Sequence, residues 1–414
     1  MQLAKFSFGI GDRFGRQGEA QLQAFQQAAE MGVEIAPVWN KSHREHTTIG
    51  TEPDSVRHEA DAAVKALAWQ KPYYVDADHI NAGNLEGFLA SSDFFTLDVA
   101  EAIGKEAEAS EIYRWVERCR PLIGQLEIPG IEDSLEVTES FLREVAATYL
   151  LAVQQAAKLY RRIAEVKGDN CIIEVSMDET TAPQKPAELF FILEAIAAAG
   201  IPAQTIAPKF SGHFNKGVDY VGSVADFERE FAADTAVVRE AVKRFNLPVN
   251  FKLSVHSGSD KFSIYPAMRR VMRRFDSGIH LKTAGTTWLE ECVGLATADD
   301  EGLTLVKDIY RAAYQRRTEL TAPYATVIDI DESALPAPEQ VAQWDARNLV
   351  ASLRHDPEEP RFNPSLRQLL HVGYKVAAEM GDRYLGALDK HRRPVGQCVT
   401  ENILERHVRP LFLG

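Results

Sequence analysis

The chain has 414 residues, of which 45% are hydrophobic and 26% charged, so it is long enough to form one large domain or two smaller ones. Its formal net charge of −14 argues against general affinity for nucleic acid or for an anionic membrane surface, while a local basic site could still bind a small anion. The amino terminus lacks a basic segment followed by a long apolar core, and no apolar run reaches membrane length, so we expect a cytoplasmic protein.

Short runs of β-branched and aromatic residues alternate with longer amphipathic segments, which is typical of repeated βα units around a parallel sheet. The predicted strands are residues 6–10, 33–39, 73–78, 171–177, 204–210, 250–256, 279–283 and 326–330. Eight strands predict an α/β protein with a closed (β/α)8 barrel of the TIM type. An open doubly wound sheet is the alternative, which is less favoured because the sequence from Gly9 to Phe14 does not complete a GxGxxG fingerprint.

Two long helical stretches depart from a minimal barrel. The pattern over residues 83–167 is helical almost throughout, which predicts an insertion between the third and fourth strands. After Pro336 the pattern is again mostly helical. We therefore predict a barrel domain over residues 1–336 that contains the insertion, and a C-terminal helical cap over residues 337–414 that packs on the barrel.

Three of the predicted strands carry a histidine at or near their carboxyl ends, namely His79, His256 and His280. The carboxyl ends of barrel strands converge on one mouth, so these distant histidines can meet at one metal ion. We predict that all three bind a divalent metal, and His213 is the alternative to His280 as the third ligand. Imidazoles together with carboxylates suit zinc best, and nickel, manganese or iron would also fit such nitrogen and oxygen ligands.

Polar and apolar residues alternate along several predicted strands, and residues two apart share a face. On the strand at 250–256, Lys252 shares a face with His256, and on the strand at 171–177, Glu174 shares a face that leads to Asp178. We expect these faces to look into the barrel, where buried charges must be paired or must serve a ligand. Asp78 is adjacent to the proposed ligand His79, so its carboxylate could move protons on a bound substrate. The predicted catalytic residues are Asp78, Glu174, Asp178 and Lys252.

Two turns near the predicted mouth can present backbone N–H groups to an anion. One turn follows His256, and the other opens the helix after the strand at 279–283. Nearby lysine and arginine side chains would favour a small acid. The predicted substrate-binding residues are Arg13, Ser257, Gly258, Ser259, Lys261, Lys282, Thr283 and Gly285. Ordinary helix capping by Thr283 or Thr286 is the alternative explanation for the second turn.

Four strings of the sequence, at residues 11–14, 216–222, 256–262 and 280–286, resemble the tagaturonate epimerase family. The likeness runs over nearly the whole chain. It implies an isomerase that needs a divalent metal and interconverts D-tagaturonate and D-fructuronate. Separately, residues 76–79 and 255–259 are similar to the zinc motifs of class II sugar aldolases. In those enzymes the aspartate moves a proton, the two histidine positions hold zinc and the Gly/Ser turn binds substrate.

Both resemblances imply the same chemistry at C4 of a 2-keto hexuronate. The C4–H bond is not acidic, so simple enolisation cannot invert this carbon, whereas retro-aldol cleavage between C3 and C4 can. A metal-bound enediolate would be the intermediate, with Asp78 moving the C4-hydroxyl proton and Glu174 or Asp178 as a second acid or base. A redox route through a transient ketone is the alternative mechanism, although no dinucleotide site is visible in the sequence.

The sequence is also compatible with two other functions. One is an aldolase that acts on a keto-sugar acid and releases the cleaved fragments, and another is a barrel that binds a sugar acid without turnover. The expected partner is a small hexuronate rather than a macromolecule, and the sequence leaves open whether the protein forms a homo-oligomer.

Overall fold

In the computed structural model, which describes every residue except Glu179, Thr181 and Ala284, eight parallel strands close into a barrel. We label these strands β1 to β8 in chain order, and each pairs with the next until β8 closes on β1. Their bounds are Phe6–Gly11, Ala36–Ser42, Tyr74–Ile80, Phe94–Asp98, Ile172–Ser176, Ala203–Ala207, Lys252–His256 and Ile279–Lys282. The predicted fold class is confirmed.

The barrel interior is layered, because every second residue of a strand faces inward. An apolar layer fills the amino-terminal end of the interior and includes Val38, Phe94 and Ile172. Above it the buried inward residues are polar, and they include Glu174 and Lys282. The strand residues that alternate with these inward-facing ones, such as the two neighbours of Glu174, point outward and pack against helices in the main apolar core. The apolar layer closes the barrel from below, so the polar layer opens only toward the carboxyl ends of the strands.

One predicted strand is wrong. Residues 326–330 form no strand but follow the short helical turn Ala322–Tyr324, and the fourth barrel strand is instead Phe94–Asp98. Residues 326–330 include β-branched side chains that pack against the C-terminal helices. These side chains are buried there as they would be in a sheet, so the sequence pattern is the same in both cases. The short apolar run at 94–98 resembles a buried helix segment, because periodicity cannot separate the two at this length.

This correction also moves the insertion, which begins after β4 rather than after β3. It consists mostly of helices and contains one antiparallel pair of short strands, Gly124–Leu126 and Leu135–Val137. The α-helices up to β8 are Gly18–Glu30, His43–Ile49, Asp54–Ala66, Leu85–Phe88, Ala109–Cys119, Glu139–Val145, Leu151–Lys167, Pro186–Ala198, Val224–Phe245 and Tyr265–Phe275. Short 3-10 turns span Ala100–Ala102, Arg120–Leu122 and Phe262–Ile264, and a π-helical turn spans Ala146–Leu150.

The C-terminal part of the chain is helical, as predicted. Its α-helices are Thr286–Ala298, Asp300–Gln315, Arg317–Thr321, Pro338–Ala342, Ala346–Leu353, Pro364–Val372, Tyr374–Met380, Asp382–Lys390 and Arg392–Glu401; 3-10 turns span Ala322–Tyr324 and Glu332–Ala334, and a π-helical segment spans Asn402–Leu413. These helices share an apolar core of their own. The last segment returns to the barrel, where the ring of Phe412 lies 5.0 Å from that of Phe6. The division into domains at residue 336 stays a prediction.

Within the described part of the chain, no helix combines the length and the apolar character that crossing a membrane requires.

Candidate active site

Two histidines and three carboxylates converge where β3, β5 and β7 end. Nδ1 of His79 lies 2.9 Å from Oδ1 of Asp78, and Nε2 of His256 lies 2.8 Å from Oε1 of Glu174. Asp178 lies between the two rings, with its carboxylate oxygens 3.1 Å from Nδ1 of His256 and 3.5 Å from Nε2 of His79. The ring centroids of the two histidines are 5.1 Å apart. Each imidazole therefore contacts a carboxylate of its own with one ring nitrogen, and its other ring nitrogen faces the carboxylate of Asp178, which the two rings share.

An irregularity in β3 makes this arrangement possible. Neighbouring residues of a regular strand point to opposite faces, yet Asp78 and His79 meet side by side. His79 has a φ of 53°, in the left-handed region that non-glycine residues rarely adopt, and the pairing of β3 with β4 shifts register between Ala77 and Ile80. The distorted strand end brings both side chains to the mouth, and strained backbone conformations cluster at functional sites.

The group has the features of a metal site. Nε2 of His79 and Nδ1 of His256 are buried and make no hydrogen bond within the described residues. Together with a carboxylate oxygen of Asp178, these ligand atoms all lie within 4.8 Å of one another. The nitrogen on the far side of each ring contacts a carboxylate, the arrangement that orients metal-binding histidines. Two imidazoles and a carboxylate suit zinc, and they also suit other divalent transition metals. The residues present therefore fit a divalent cation.

His280 and His213, the two candidates for the third ligand, do not join this group. His280 lies deeper in the barrel, fully buried, with Nδ1 3.0 Å from Oγ of Ser7 and its ring 5.0 Å from that of Phe94. Burial lowers the pKa of His280 to about 3, so it is neutral. His213 is exposed and lines the cavity wall farther out. The structure thus places Asp178, which was predicted as a catalytic carboxylate, beside His79 and His256, where a third histidine was expected.

Lys282 ties the inner carboxylates together. Its ammonium lies 2.7 Å from Asp76 and 2.6 Å from Asp78, and it donates a hydrogen bond of 2.8 Å to Oγ1 of Thr96. A third carboxylate, that of Glu174, is 3.5 Å away. The lysine side chain crosses over β1 at a glycine, Gly9, where a Cβ atom would lie only 2.8 Å from Cγ of Lys282. Three carboxylates thus surround the Lys282 ammonium, and Asp178 adds a fourth negative charge beside the histidines, so the excess negative charge favours a cation.

Protonation follows from burial and from these pairs. Burial acts to raise the pKa of Asp78, but the Lys282 ammonium and the His79 ring outweigh it and hold that pKa well below its usual range. The pKa of Glu174 is likewise held well below its usual range by Lys282 and His256, against the opposing effect of burial. For Asp76 burial outweighs the nearby Lys282, and its pKa rises to about 6.

Two adjoining cavities open above the group. The larger has a volume of about 560 Å³ and is lined by His256, Asp178 and Lys282, among others. The smaller has a volume of about 290 Å³ and extends toward the C-terminal helices. Both cavities are lined by Arg44, Asp78, His79 and Lys216, which therefore form a shared wall. The combined space is of the size that proteins use for small-molecule ligands.

Three of the predicted substrate-binding residues line these cavities. Gly258 and Lys282 line the larger one, and Arg13 lines the smaller one. The guanidinium of Arg13 is already occupied, since it donates to Glu45 at 3.0 Å and to the backbone carbonyl of His371 at 2.9 Å. It shapes the cavity and its charge balances Glu45.

The other five support the wall from behind. Ser257 donates from Oγ to the carbonyl of Lys282 at 2.7 Å, and Ser259 accepts from the backbone N–H of Gly217 at 2.9 Å. The fully buried ammonium of Lys261 donates to the carbonyls of Asn215 at 3.0 Å and Val218 at 2.8 Å.

Thr283 and Gly285 connect β8 to the next helix. Thr283 donates its backbone N–H to the carbonyl of Gly9 at 3.0 Å. Gly285 has a φ of 95°, and it leaves room for the ring of His371 and the guanidinium of Arg13, which any side chain at this position would meet. Both residues therefore fix the chain behind the smaller cavity.

Lys252, predicted as catalytic, lies at the opposite end of the barrel. It shares a face with His256 as expected, but it is four residues earlier on β7 and donates to the backbone carbonyl of Ala4. It lines a separate groove of about 710 Å³ at the amino-terminal end of the strands. Burial lowers the pKa of Lys252 to about 7. The structure does not bring Lys252 to the histidine group.

Several residues of the site are absent from the sequence prediction. Asp76 could have been found, because it shares a strand face with Asp78. Thr96 lies on β4, the strand that the sequence pattern did not reveal. Arg44 and Lys216 lie outside the barrel strands, on the helix after β2 and in the loop after β6, where no periodicity points to a cavity.

Comparisons with known proteins agree with one another. A family model described as tagaturonate epimerase matches residues 1–391. A tagaturonate/fructuronate epimerase from Thermotoga maritima is 28% identical over 420 residues, covering 97% of this chain and 80% of that protein. A glycerol-complexed crystal structure of the fructuronate-tagaturonate epimerase UxaE from Cohnella laeviribosi superposes with a TM-score of 0.82 at 25% identity, covering 99% of this chain and 82% of that one. The native crystal structure of the same enzyme gives a TM-score of 0.81 at the same identity and coverage.

Proposed function

The chain belongs to the tagaturonate epimerase family and is thus an isomerase, and on that premise we propose that it interconverts D-tagaturonate and D-fructuronate with a bound divalent metal. The observation that carries this proposal is the convergence of His79, Asp178 and His256 at the mouth of the barrel. The cavities above them have room for a six-carbon sugar acid. The cytoplasmic location expected from the sequence stays a prediction.

His79, Asp178 and His256 would hold the metal, because their unpartnered nitrogens and the shared carboxylate face one another. Asp178 thereby takes the place that the sequence prediction gave to His280. When bound, the metal supplies a Lewis acid that polarises the ketone and offsets the negative charge that develops on its oxygen. Zinc suits this donor set best, and manganese, iron and nickel are the other candidates.

Asp78 is the residue best placed to move a proton at the C4 hydroxyl group. It lines both cavities, beside the proposed ligand His79. Retro-aldol cleavage between C3 and C4 needs a base at the C4 hydroxyl, and the return addition needs an acid there, so one carboxylate can serve both directions. Lys282, 2.6 Å from Oδ1 of Asp78, stabilises the carboxylate form and fixes its position.

Glu174 acts through His256 rather than on the substrate. Its Oε1 is 2.8 Å from Nε2 of His256 and 3.2 Å from Oγ1 of Thr96, and its Oε2 accepts from Thr205 at 2.8 Å. A carboxylate with both oxygens occupied in this way orients the histidine and stays ionised. Of the two carboxylates proposed as a second acid or base, Glu174 is thus a positioning residue and Asp178 a metal ligand.

Product analysis tests the proposal. Purified protein incubated with D-tagaturonate should form D-fructuronate, which ¹³C NMR resolves from the starting material, with all six carbons retained. Accumulation of three-carbon fragments would instead show an aldolase that releases its products. Binding of D-tagaturonate without turnover, in protein loaded with zinc or another divalent ion, would show a binding protein and contradict the proposal.

A further inference from the structure

Lys216 lies in a loop that the rest of the molecule holds firmly. Its backbone N–H donates to the carbonyl of Val327 at 2.7 Å. The residues on either side of it are fixed by Lys261, which donates to the carbonyl of Asn215, and by Ser259, which accepts from the N–H of Gly217. The position of the Lys216 backbone is therefore set by the turn after β7, the same turn that follows the proposed ligand His256.

The side chain of Lys216 reaches the shared wall of the two cavities, where the carboxylates of Glu45 and Asp78 act on its charge but neither forms an ion pair with it. It is partly buried, and its ammonium packs against Gly258, where a Cβ atom would lie 3.4 Å from Nζ. Among the residues that the structure describes, it forms no side-chain hydrogen bond or ion pair, whereas Lys282 lies against three carboxylates. A second cation, Arg44, lies on the same wall and stacks on the ring of Tyr324 at 4.7 Å.

An unpaired ammonium on a cavity wall is costly, and a bound anion would remove that cost. Burial, together with the neighbouring charge of Arg44, lowers the pKa of Lys216 and outweighs the opposing effect of Glu45 and Asp78, so these carboxylates do not fully offset its charge. The other buried cations at the mouth do not share this property, because Arg13 is paired with Glu45 and Lys261 is surrounded by carbonyl oxygens.

We propose that Lys216 binds the terminal carboxylate of the hexuronate substrate and gives the enzyme its preference for sugar acids over neutral sugars. This inference rests on the proposed function and names the carboxylate subsite of that same site. In a 2-keto hexuronate the carboxylate carbon is two bonds from C4, so the two groups must lie close together. Lys216 and Asp78 line the same wall, which places a cation for the carboxylate near the base for the C4 hydroxyl.

A lysine also suits the movement that the reaction needs. Retro-aldol cleavage leaves the carboxylate on the aldehyde fragment, which must turn to present its other face before the bond reforms. An ammonium is a compact charge with three rotatable donors and tolerates this turn, whereas a planar guanidinium binds a carboxylate in one bidentate orientation. Lys216 would thus hold the fragment while C4 rotates.

The test compares D-tagaturonate with D-tagatose, in which a hydroxymethyl group replaces the carboxylate. We expect Lys216→Met to lower kcat/KM for D-tagaturonate by about 10- to 100-fold, mostly through KM, and to leave the value for D-tagatose within about threefold. Lys158→Met, at an exposed helical position, removes the same charge far from the cavities and should change neither value. An acid-to-neutral ratio that stays at the wild-type value in Lys216→Met would overturn the inference.

A binding measurement separates this inference from the proposed function. L-galactonate shares the configuration of D-tagaturonate at the three carbons next to the carboxylate but has no ketone, and galactitol is its neutral counterpart. Calorimetry should show that wild-type protein binds galactonate, that Lys216→Met binds it at least about tenfold more weakly, and that Lys216→Arg retains most of the affinity. This result would stand even if D-tagaturonate were not turned over. Equal binding of galactonate by wild type and Lys216→Met, or none by wild type, would refute the subsite.

Discussion

The carboxylate of Asp178 lies 3.1 Å from Nδ1 of His256, and this contact joins the loop after β5 to the end of β7. The opposite ring nitrogen of His256 is 2.8 Å from Glu174, so the ring is held between a buried carboxylate and one that lines the cavity. His79 repeats the arrangement between Asp78 and the same Asp178. Two strand ends thus present one ring nitrogen each, Nε2 of His79 and Nδ1 of His256, to the same carboxylate, which is the geometry that a shared cation requires.

The identity of the third ligand can be tested with a pair of variants. Asp178→Asn keeps the shape of the side chain but removes its charge, so we expect affinity for zinc to fall by at least about 10-fold. His280→Gln alters a residue with no ligand atom at the mouth and should retain the wild-type metal content. Elemental analysis after dialysis against a fixed zinc concentration measures both. Loss of the metal from His280→Gln, with full retention by Asp178→Asn, would restore the sequence-based assignment.

Glu174→Gln distinguishes a positioning residue from an acid or base. The glutamine can still contact His256 but cannot hold it as an ionised carboxylate does, so metal affinity should fall by about 10- to 100-fold. Because the ligands themselves remain, an excess of the ion should restore much of the activity. Activity is compared at low and saturating metal. If metal affinity is unchanged while kcat is strongly reduced at saturating metal, Glu174 takes part in proton transfer instead.

Asp78→Asn removes the proposed base at the C4 hydroxyl. Loss of a positioned acid–base group typically slows a reaction by about 10²- to 10⁴-fold, and we expect a decrease in kcat within this range at saturating metal. KM for D-tagaturonate should change much less, because asparagine has nearly the shape of the aspartate it replaces and Lys282 stays in place behind it. Steady-state kinetics with both hexuronates measure the two constants. Epimerisation at nearly the wild-type rate would remove Asp78 from the mechanism.

Stability should fall on mild acidification, in part because of His46. This buried ring lies 2.9 Å from Oγ1 of Thr51, and burial, followed by the charge of Lys41, lowers its pKa to about 4. The unfolded chain binds a proton at this residue below about pH 6.5, and the folded chain does not until about pH 4. The free energy of unfolding therefore falls as the pH falls from about 6.5 to about 4.

Urea unfolding of His46→Gln tests this effect. Its free energy of unfolding should decline less steeply than that of the wild type between pH 6.5 and 4, since no proton uptake remains at this position. His58→Gln, at an exposed position, provides the control and should follow the wild-type slope. Parallel slopes for all three proteins would show that His46 does not contribute to the acid sensitivity.

Much of the fold could be predicted because burial leaves a periodic trace in the sequence. Seven of the eight strands were found from β-branched and aromatic runs, and the predicted polar interior faces of β5, β7 and β8 are present. The fourth strand was missed because five residues, Phe94 to Asp98, are too few to show whether a run is helical or extended. Residues 326–330 were mistaken for a strand because apolar β-branched residues also fill the core beneath the C-terminal helices.

The site was harder to predict, since strand position fixes the face of a residue but not its depth. His280 and Lys282 share a face, yet only Lys282 reaches the mouth. Lys261 follows a predicted anion-binding turn, but its ammonium is turned inward to backbone carbonyls. The contact between Asp78 and His79 depends on a left-handed residue within a strand, which no periodicity reveals. Asp78, His79 and His256 were identified from sequence because they end their strands.

Removal and return of the metal tests the central claim most directly. The wild-type protein is freed of metal with a chelator, the chelator is removed, and single divalent ions are added back while the conversion of D-tagaturonate to D-fructuronate is followed by NMR. We predict that chelation abolishes epimerisation and that about one equivalent of a suitable ion, zinc first among them, restores it. Epimerisation that continues unchanged in protein shown by elemental analysis to contain no metal would contradict the account.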